Sequence, residues 1–282
     1  MKNLSHNETK RFVALVLAAD RTSTDPVTTH TGAACKAFAP VGGTPMVIRV
    51  LDALAACNLI SRIILCGPPE SLHSHCPELQ QRIASGQVDW VSNKSTPSRS
   101  AENGFRLIDK DSPVLLTTAD HALLTPMIVQ SFLKESLAAN YDATVGIVRQ
   151  KDIVHAFHES KRTVHRLRDG GFCGCNLYTF NPNGRKLVKF WQQAEDLRKR
   201  PLQLIAKVVG FQLALSYLFK RLTLDQALAA ISQKSSVKIK AIQLDDPRAG
   251  IDVDKVKDLQ LAESILSRIP VSVLDKNKVK GH

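Results

Sequence analysis

"LVLAADRTSTDPVTTHTGAACKAFAPVGGTPMVIRVLDAL", residues 15–54, carries the chain from an apolar run through a long polar loop to a lone lysine, a glycine pair and an amphipathic stretch. The run FVALVLA, 12–18, is short, apolar throughout and ends abruptly at the loop. That pattern predicts a strand buried on both faces, as in a parallel sheet. MVIRVLDALAAC, 46–57, has the spacing of a helix.

The same alternation continues outward. RIILCG (62–67), QVDWVS (87–92), SPVLLTTAD (112–120) and DATVGIVR (142–149) read as strands. PELQQRIAS (77–85), RSAENGFRLI (99–108) and TPMIVQSFLKESLAA (125–139) read as helices, the last with Thr125 as N-cap and Pro126 in its first turn. This is the signature of an α/β fold with an open, mostly parallel sheet. Ligands in such folds bind beyond the carboxyl ends of the strands. After residue 150 the rhythm changes. RTVHRLRDGGFCGCNLYTFNP (162–182) reads as two extended runs around a Gly-rich bend. A helical stretch follows over about 184–233, then a late strand, VKIKAIQLDD (237–246), and a closing helix, KVKDLQLAESILSRI (255–269). The expected organisation is a single domain over 1–270, with a helical insert at about 184–235 and a charged tail at 271–282.

Composition narrows the function. The chain has 282 residues and a formal charge of +12, and 12 Lys/Arg against 3 Asp/Glu fall between Arg185 and Lys240. Such a balance suits anionic partners or a solvated helical surface. Aromatic residues are only 5% of the chain and no recognition motif accompanies the charge, so nucleic acid is not an expected partner. The six cysteines form no CxxC pair, and Cys173 and Cys175 alone do not make a zinc site. Reduced thiols and an N-terminus lacking a secretory apolar region predict a cytoplasmic protein. PLQLIAKVVGFQLALSYLF, 201–219, is apolar but carries Gln203, Lys207 and Gln212 on one helical face. It reads as an amphipathic helix that packs against the core or a partner, or else makes weak contact with a membrane surface.

The candidate chemical groups lie after the strands. Lys36, in CKAFAPVGG, is a mobile point charge suited to a phosphate chain, and Gly42 and Gly43 permit a tight turn before a helix. Asp120 ends a strand and either binds a divalent metal or caps the following helix. Asp252 and Asp254, in AGIDVDKVKDL, point the same way if extended. Asp254 or Asp258 reads as a cap or decoration of the closing helix, whereas Asp252, which precedes the cap, reads as functional.

Taken in order, LVLAAD…KAFAPVGGTPMVIRVLDAL, VLLTTADHALLTP, GCNLYTF and GIDVDKVKDLQLAE resemble the MobA-like nucleotidyltransferases over roughly 11–182 and 236–268. The resemblance implies a Rossmann-like GT-A fold: a mostly parallel mixed sheet flanked by helices, with a helical insert. It also implies a nucleotidyltransferase that moves an NMP group from an NTP to a phosphorylated sugar, inositol or alcohol and releases pyrophosphate. By the same resemblance Leu17, Ala18, Ala19, Arg21, Lys36 and Ser100 line the nucleotide. Asp120 and Asp252 bind Mg²⁺, with Mn²⁺ as an alternative. Asn176 lies near the acceptor. Read from the residues and not from the resemblance, Arg198, with Lys199 and Arg200 in the basic run EDLRKRP (195–201), contacts an acceptor phosphate or a lipid headgroup, or else belongs to a solvated helix end. Asp20 stands where the family's first loop glycine is usual, and His121 follows the metal aspartate. Either the loop takes another path with Arg21 compensating, or nucleotide binding is weakened. Two alternatives remain. Asp252-Val-Asp254 spells the DxD of sugar-nucleotide glycosyltransferases, and Asp20 would suit a non-catalytic nucleotide-binding or regulatory protein.

Overall fold

The computed structural model describes residues 11–18, 25–158, 160, 162–196 and 221–268. The insert segment 201–219, Arg198 and the tail at 271–282 lie outside them, as do Ala19, Asp20 and Arg21 of the loop after the first strand.

β1 (Phe12–Leu17) is buried at all six positions. Its alternate residues divide between two cores. Phe12, Ala14 and Val16 join the larger cluster with α2 (Met46–Ala55) and α5 (Pro126–Ala139). Val13, Leu15 and Leu17 join the smaller one, which includes Ala101 of α4 (Pro97–Phe105). A strand covered on both faces has no use for polar alternation, which is why this segment is apolar throughout.

β1 pairs parallel with β4 (Ile60–Cys66) on one side and β6 (Val114–Thr118) on the other, and β5 (Asp89–Val91) pairs parallel with β4. β9 (Gly170–Phe180) runs antiparallel between β6 and β7 (Ala143–Arg149). β10 (Ile239–Gln243) adds parallel to β7, and β8 (His165–Leu167) pairs with β9. The order across the sheet is therefore β5-β4-β1-β6-β9-β7-β10. This is an α/β fold with a mostly parallel mixed sheet. It reverses direction of growth at β1, so the crevice at the ends of β1 and β6 is its natural ligand site.

Several local expectations need correction. The polar loop contains α1 (Pro26–Thr31), where Asp25 accepts from the Val27 N–H at 2.8 Å and Gly32 closes the C-terminus at φ 71°. Only Val27 of α1 is buried, so no apolar periodicity announced it. β6 stops at Thr118, two residues short of the acid. The stretch before the bend includes α6 (Gln150–Ala156). In the region read as a helical stretch, α7 (Leu187–Asp196) and α8 (Leu224–Ser235) flank the segment outside the described residues. The short strands β2 (Pro40–Val41) and β3 (Thr44–Pro45) form a hairpin at Gly42-Gly43. α3 (Pro77–Ala84) and α9 (Val256–Ser267) complete the set. Among the described residues no helix is long and apolar enough to cross a membrane.

Gly104 lets α4 lie directly on β1, since an added Cβ would come 2.5 Å from Leu15 Cδ1. Gly104→Ala should lower unfolding free energy by about 1–2 kcal/mol, because overpacking outweighs the ~1 kcal/mol helix gain of alanine. Leu15→Val in the same chain should recover part of it. Chemical denaturation of both proteins checks this, and an undiminished midpoint for Gly104→Ala would refute the close approach.

Candidate active site

Three chain segments meet at the ends of β1 and β6. The first carries Lys36, at the start of a short 3-10 helix (Lys36–Phe38) just after α1. The second follows β6 and carries Asp120. The third, 252–254, precedes α9. Backbone bonds tie them: Ala119 N–H donates to the Leu17 carbonyl at 2.9 Å, and Val253 N–H donates to the Asp120 carbonyl at 2.9 Å. Val253 is fully buried, so Asp252 and Asp254 on either side turn toward Asp120. Oxygens of the three carboxylates come within 4.8 Å of one another.

Lys36 Nζ lies 2.9 Å from Asp120 Oδ2 and 2.9 Å from Asp254 Oδ1. Burial alone would lower the Lys36 pKa, but the two carboxylates outweigh it and hold the pKa above the ordinary lysine value. The ammonium is therefore charged at neutral pH. Thr118 Oγ1 donates to Asp120 Oδ1 at 2.5 Å, which fixes the carboxylate plane. Asp120 does not cap α5; Thr125 does, accepting from the Ile128 N–H at 3.2 Å. Asp254, expected as a cap, instead pairs with Lys36. Asp258 takes the capping role, accepting from the N–H groups of Lys255 at 2.9 Å and Asp254 at 3.2 Å.

Asn176 donates from Nδ2 to Asp252 Oδ2 at 2.8 Å. It reaches that position through an irregularity in β9. The register with β7 shifts between Val145 and Ile147, and Asn176 has φ 50°. A bulge of this kind re-aims one side chain without ending the strand, and asparagine tolerates the left-handed conformation.

One participant had no signal in the sequence. Arg162, from the segment between α6 and β8, abuts the Asp252 carboxylate through Nη2. Its Nη1 donates to the Asp252 carbonyl at 2.8 Å and to Asp258 Oδ1 at 3.3 Å. Among these six side chains the formal charge is two negative: Asp120, Asp252, Asp254 and Asp258 against Lys36 and Arg162. An all-oxygen donor set with a net deficit of positive charge fits a hard divalent cation such as Mg²⁺ or Mn²⁺.

Leu17 and Ala18 form the buried end of β1, with Ala18 N–H donating to the Cys66 carbonyl at 2.9 Å. Ser100 is not at the acidic cluster and does not open its helix, which Thr96 caps. It is 1% exposed, and its hydroxyl accepts from the Lys94 N–H at 2.9 Å, fastening the loop before α4. Ala19, Arg21 and Arg198 fall outside the described residues. His121 is buried directly behind Asp120. Burial pushes its pKa down to about 4 despite the neighbouring carboxylate, so it adds no charge to the centre at neutral pH.

Comparison with known proteins follows the same lines. The sequence profile of the MobA-like NTP transferase domain matches residues 14–197. The 2-C-methyl-D-erythritol 4-phosphate cytidylyltransferase of Rhodococcus jostii is 26% identical over 119 residues, 42% of this chain and 50% of that protein. The same-named protein of Frankia casuarinae is 24% identical over 49% of this chain and 51% of that one. The chain thus spans about half the length of the curated relatives it matches. Among solved structures, a hypothetical transferase from Thermus thermophilus superposes with a TM-score of 0.73 at 29% identity, over 88% of this chain and 99% of that one. A CMP:2-keto-3-deoxy-manno-octonic acid synthetase complexed with CTP superposes at 0.56 with 9% identity, over 91% and 99% of the two chains, a likeness of fold alone.

The burial of His121 has a measurable consequence. Its pKa is lower folded than unfolded, so the unfolded chain binds more protons between about pH 6.5 and pH 4. Its contribution is intact above about 6.5 and is lost as pH falls toward about 4, at up to ~1.4 kcal/mol per unit. His121→Gln should flatten the stability–pH curve over that window. Parallel denaturation of the two proteins at stepped pH tests it; identical slopes would rule the burial effect out.

Proposed function

The chain belongs to the MobA-like NTP transferase family, and from that premise we propose that it transfers a nucleoside monophosphate from an NTP to a phosphorylated small molecule, releasing pyrophosphate. The observation that carries the reading is the meeting of Lys36, Asp120, Asp252 and Asp254 where β1 and β6 end. CTP is the leading nucleotide and a sugar or alcohol phosphate the leading acceptor, on the strength of the names of the cytidylyltransferase relatives. In this reading residues 1–270 act as one domain.

The acceptor's phosphate monoester is largely dianionic near neutral pH, since its second pKa is about 6. It needs no general base, and the imidazole next to Asp120, that of His121, is buried and neutral. An acceptor phosphate oxygen attacks the α-phosphorus, and the bond to the departing pyrophosphate breaks in line with it. Asp120 and Asp252, with Asp254 alongside, would hold a divalent cation, whose positive charge would let the two anions approach. Lys36, kept protonated by Asp120 and Asp254, offsets charge growing on the leaving group. Thr118 and Asn176 orient the two metal-binding carboxylates, so positioning carries much of the acceleration. In this reading Leu17 and Ala18 border the nucleotide, with Ser100 shaping that border through the Lys94 loop, and Asn176 faces the acceptor; Ala19 and Arg21 are assigned to the nucleotide and Arg198 to the acceptor from the sequence alone.

Pyrophosphate release with Mg²⁺, screened over four NTPs and a panel of sugar, inositol and alcohol phosphates, tests this directly. A signal that needs one NTP and one acceptor is the expected outcome. Turnover of a sugar nucleotide without pyrophosphate would favour the glycosyltransferase alternative, in which Asp252 and Asp254 serve as the DxD pair. Asp120→Asn should reduce turnover at least about 10²-fold while leaving the far-UV spectrum unchanged, in line with loss of a charge that stabilises the transition state. Lys36→Ala should weaken nucleotide binding, and an unaltered dissociation constant would remove Lys36 from the site.

A further inference from the structure

Both carboxylate oxygens of Asp252 face a nitrogen in this structure. Its Oδ2 accepts from Asn176 Nδ2 at 2.8 Å, and its Oδ1 faces Arg162 Nη2. The pair is mostly shielded from water, at 12% side-chain exposure for Arg162 and 17% for Asp252. Arginine does not lose its proton at any physiological pH, so the positive charge on Asp252 is permanent while the contact lasts. A guanidinium and a divalent cation on one carboxylate oxygen would repel strongly in such a shielded place.

The contact is also built to be exchanged rather than simply broken. Arg162 Nη1 has two anchors of its own, the Asp252 carbonyl at 2.8 Å and Asp258 Oδ1 at 3.3 Å. Asp258 is held in turn by the N–H groups of Asp254 and Lys255, just before α9. When Nη2 leaves the carboxylate, the side chain therefore keeps a partner at the rim of the cluster.

We infer that Arg162 is a placeholder for the divalent cation: its guanidinium neutralises Asp252 until the cation takes that carboxylate, and the freed Nη2 then serves an oxygen of an anionic substrate. The consequence is a weak site for bare metal and a stronger one for metal that arrives with a polyphosphate. The role presupposes a divalent cation at Asp252, as the nucleotidyltransferase reading does, but no particular nucleotide or acceptor.

The test is Mn²⁺ binding to the nucleotide-free, full-length chain, followed by calorimetry or water-proton relaxation. Arg162→Met leaves the carboxylate unpaired, so its Mn²⁺ dissociation constant should fall about tenfold or more relative to the wild type. Arg162→Lys, which cannot span both acids as a fork, should bind Mn²⁺ more tightly than wild type by a smaller factor and covers the case in which the methionine variant does not fold. Adding Asp252→Asn should erase either gain. Equal or weaker Mn²⁺ binding in the variants overturns the placeholder while leaving the proposed reaction standing. Binding to none of the proteins removes the placeholder and the metal premise together. Tighter binding in the variants combined with silence across the substrate panel upholds the placeholder and removes the reaction.

Discussion

The bond from the Val253 N–H to the Asp120 carbonyl joins two segments that lie far apart in the sequence, and the centre depends on it. It sets the spacing of the late acids from the acid after β6. It also drives Val253 into the core, which forces Asp252 and Asp254 outward on one side. Lys36 then spans a gap that this bond has already defined. Neither segment could hold its carboxylates so close without such a tie, because like charges repel strongly in a shielded place.

The electrostatics follow from that crowding. Four acids are drawn together around two bases, and each base is shared. Lys36 bridges Asp120 and Asp254, while Arg162 bridges Asp252 and Asp258. Shared cations keep the acids close without satisfying them fully. The surrounding groups are neutral or already committed: His121 by burial, Thr118 and Asn176 by their hydrogen bonds. The centre is thus left with a deficit of positive charge and a rigid surround.

Much of this was legible in the sequence, for identifiable reasons. The unbroken apolar run at 12–18 announced a doubly covered strand, and the strand–helix alternation announced the sheet. Asp120 and Asp252 were visible because each closes or follows an extended segment at the ligand end. Asp254 was misread because an acid before a helix has two physically sound uses, and spacing alone does not separate them. Asp258 sits where it can cap as well. Arg162 carried no local signal at all, since its partners lie 90 and 96 residues away and its own segment has no periodicity. Helix α1 was hidden for a related reason: a mostly polar turn that buries only Val27 leaves no apolar stripe. The bulge that aims Asn176 depends on the pairing of Val145 with Tyr178 and of Ile147 with Gly174, which no one-dimensional pattern records.

The placement of β9 bears on how the chain is assembled in time. It lies between β6 and β7, both of which precede it in the sequence, and pairs with each in antiparallel fashion. Until residues 170–180 leave the ribosome, β6 presents an open edge and β7 has no strand to pair with. The half built on β1 can form early from neighbouring parallel strands, but the other half waits for the late arrival of β10 as well. Threading a strand into an occupied gap is a non-local step that comes late and slowly. A nascent chain is thus most vulnerable to wrong edge pairing while residues 150–170 are being added, before the strand that closes the gap has emerged.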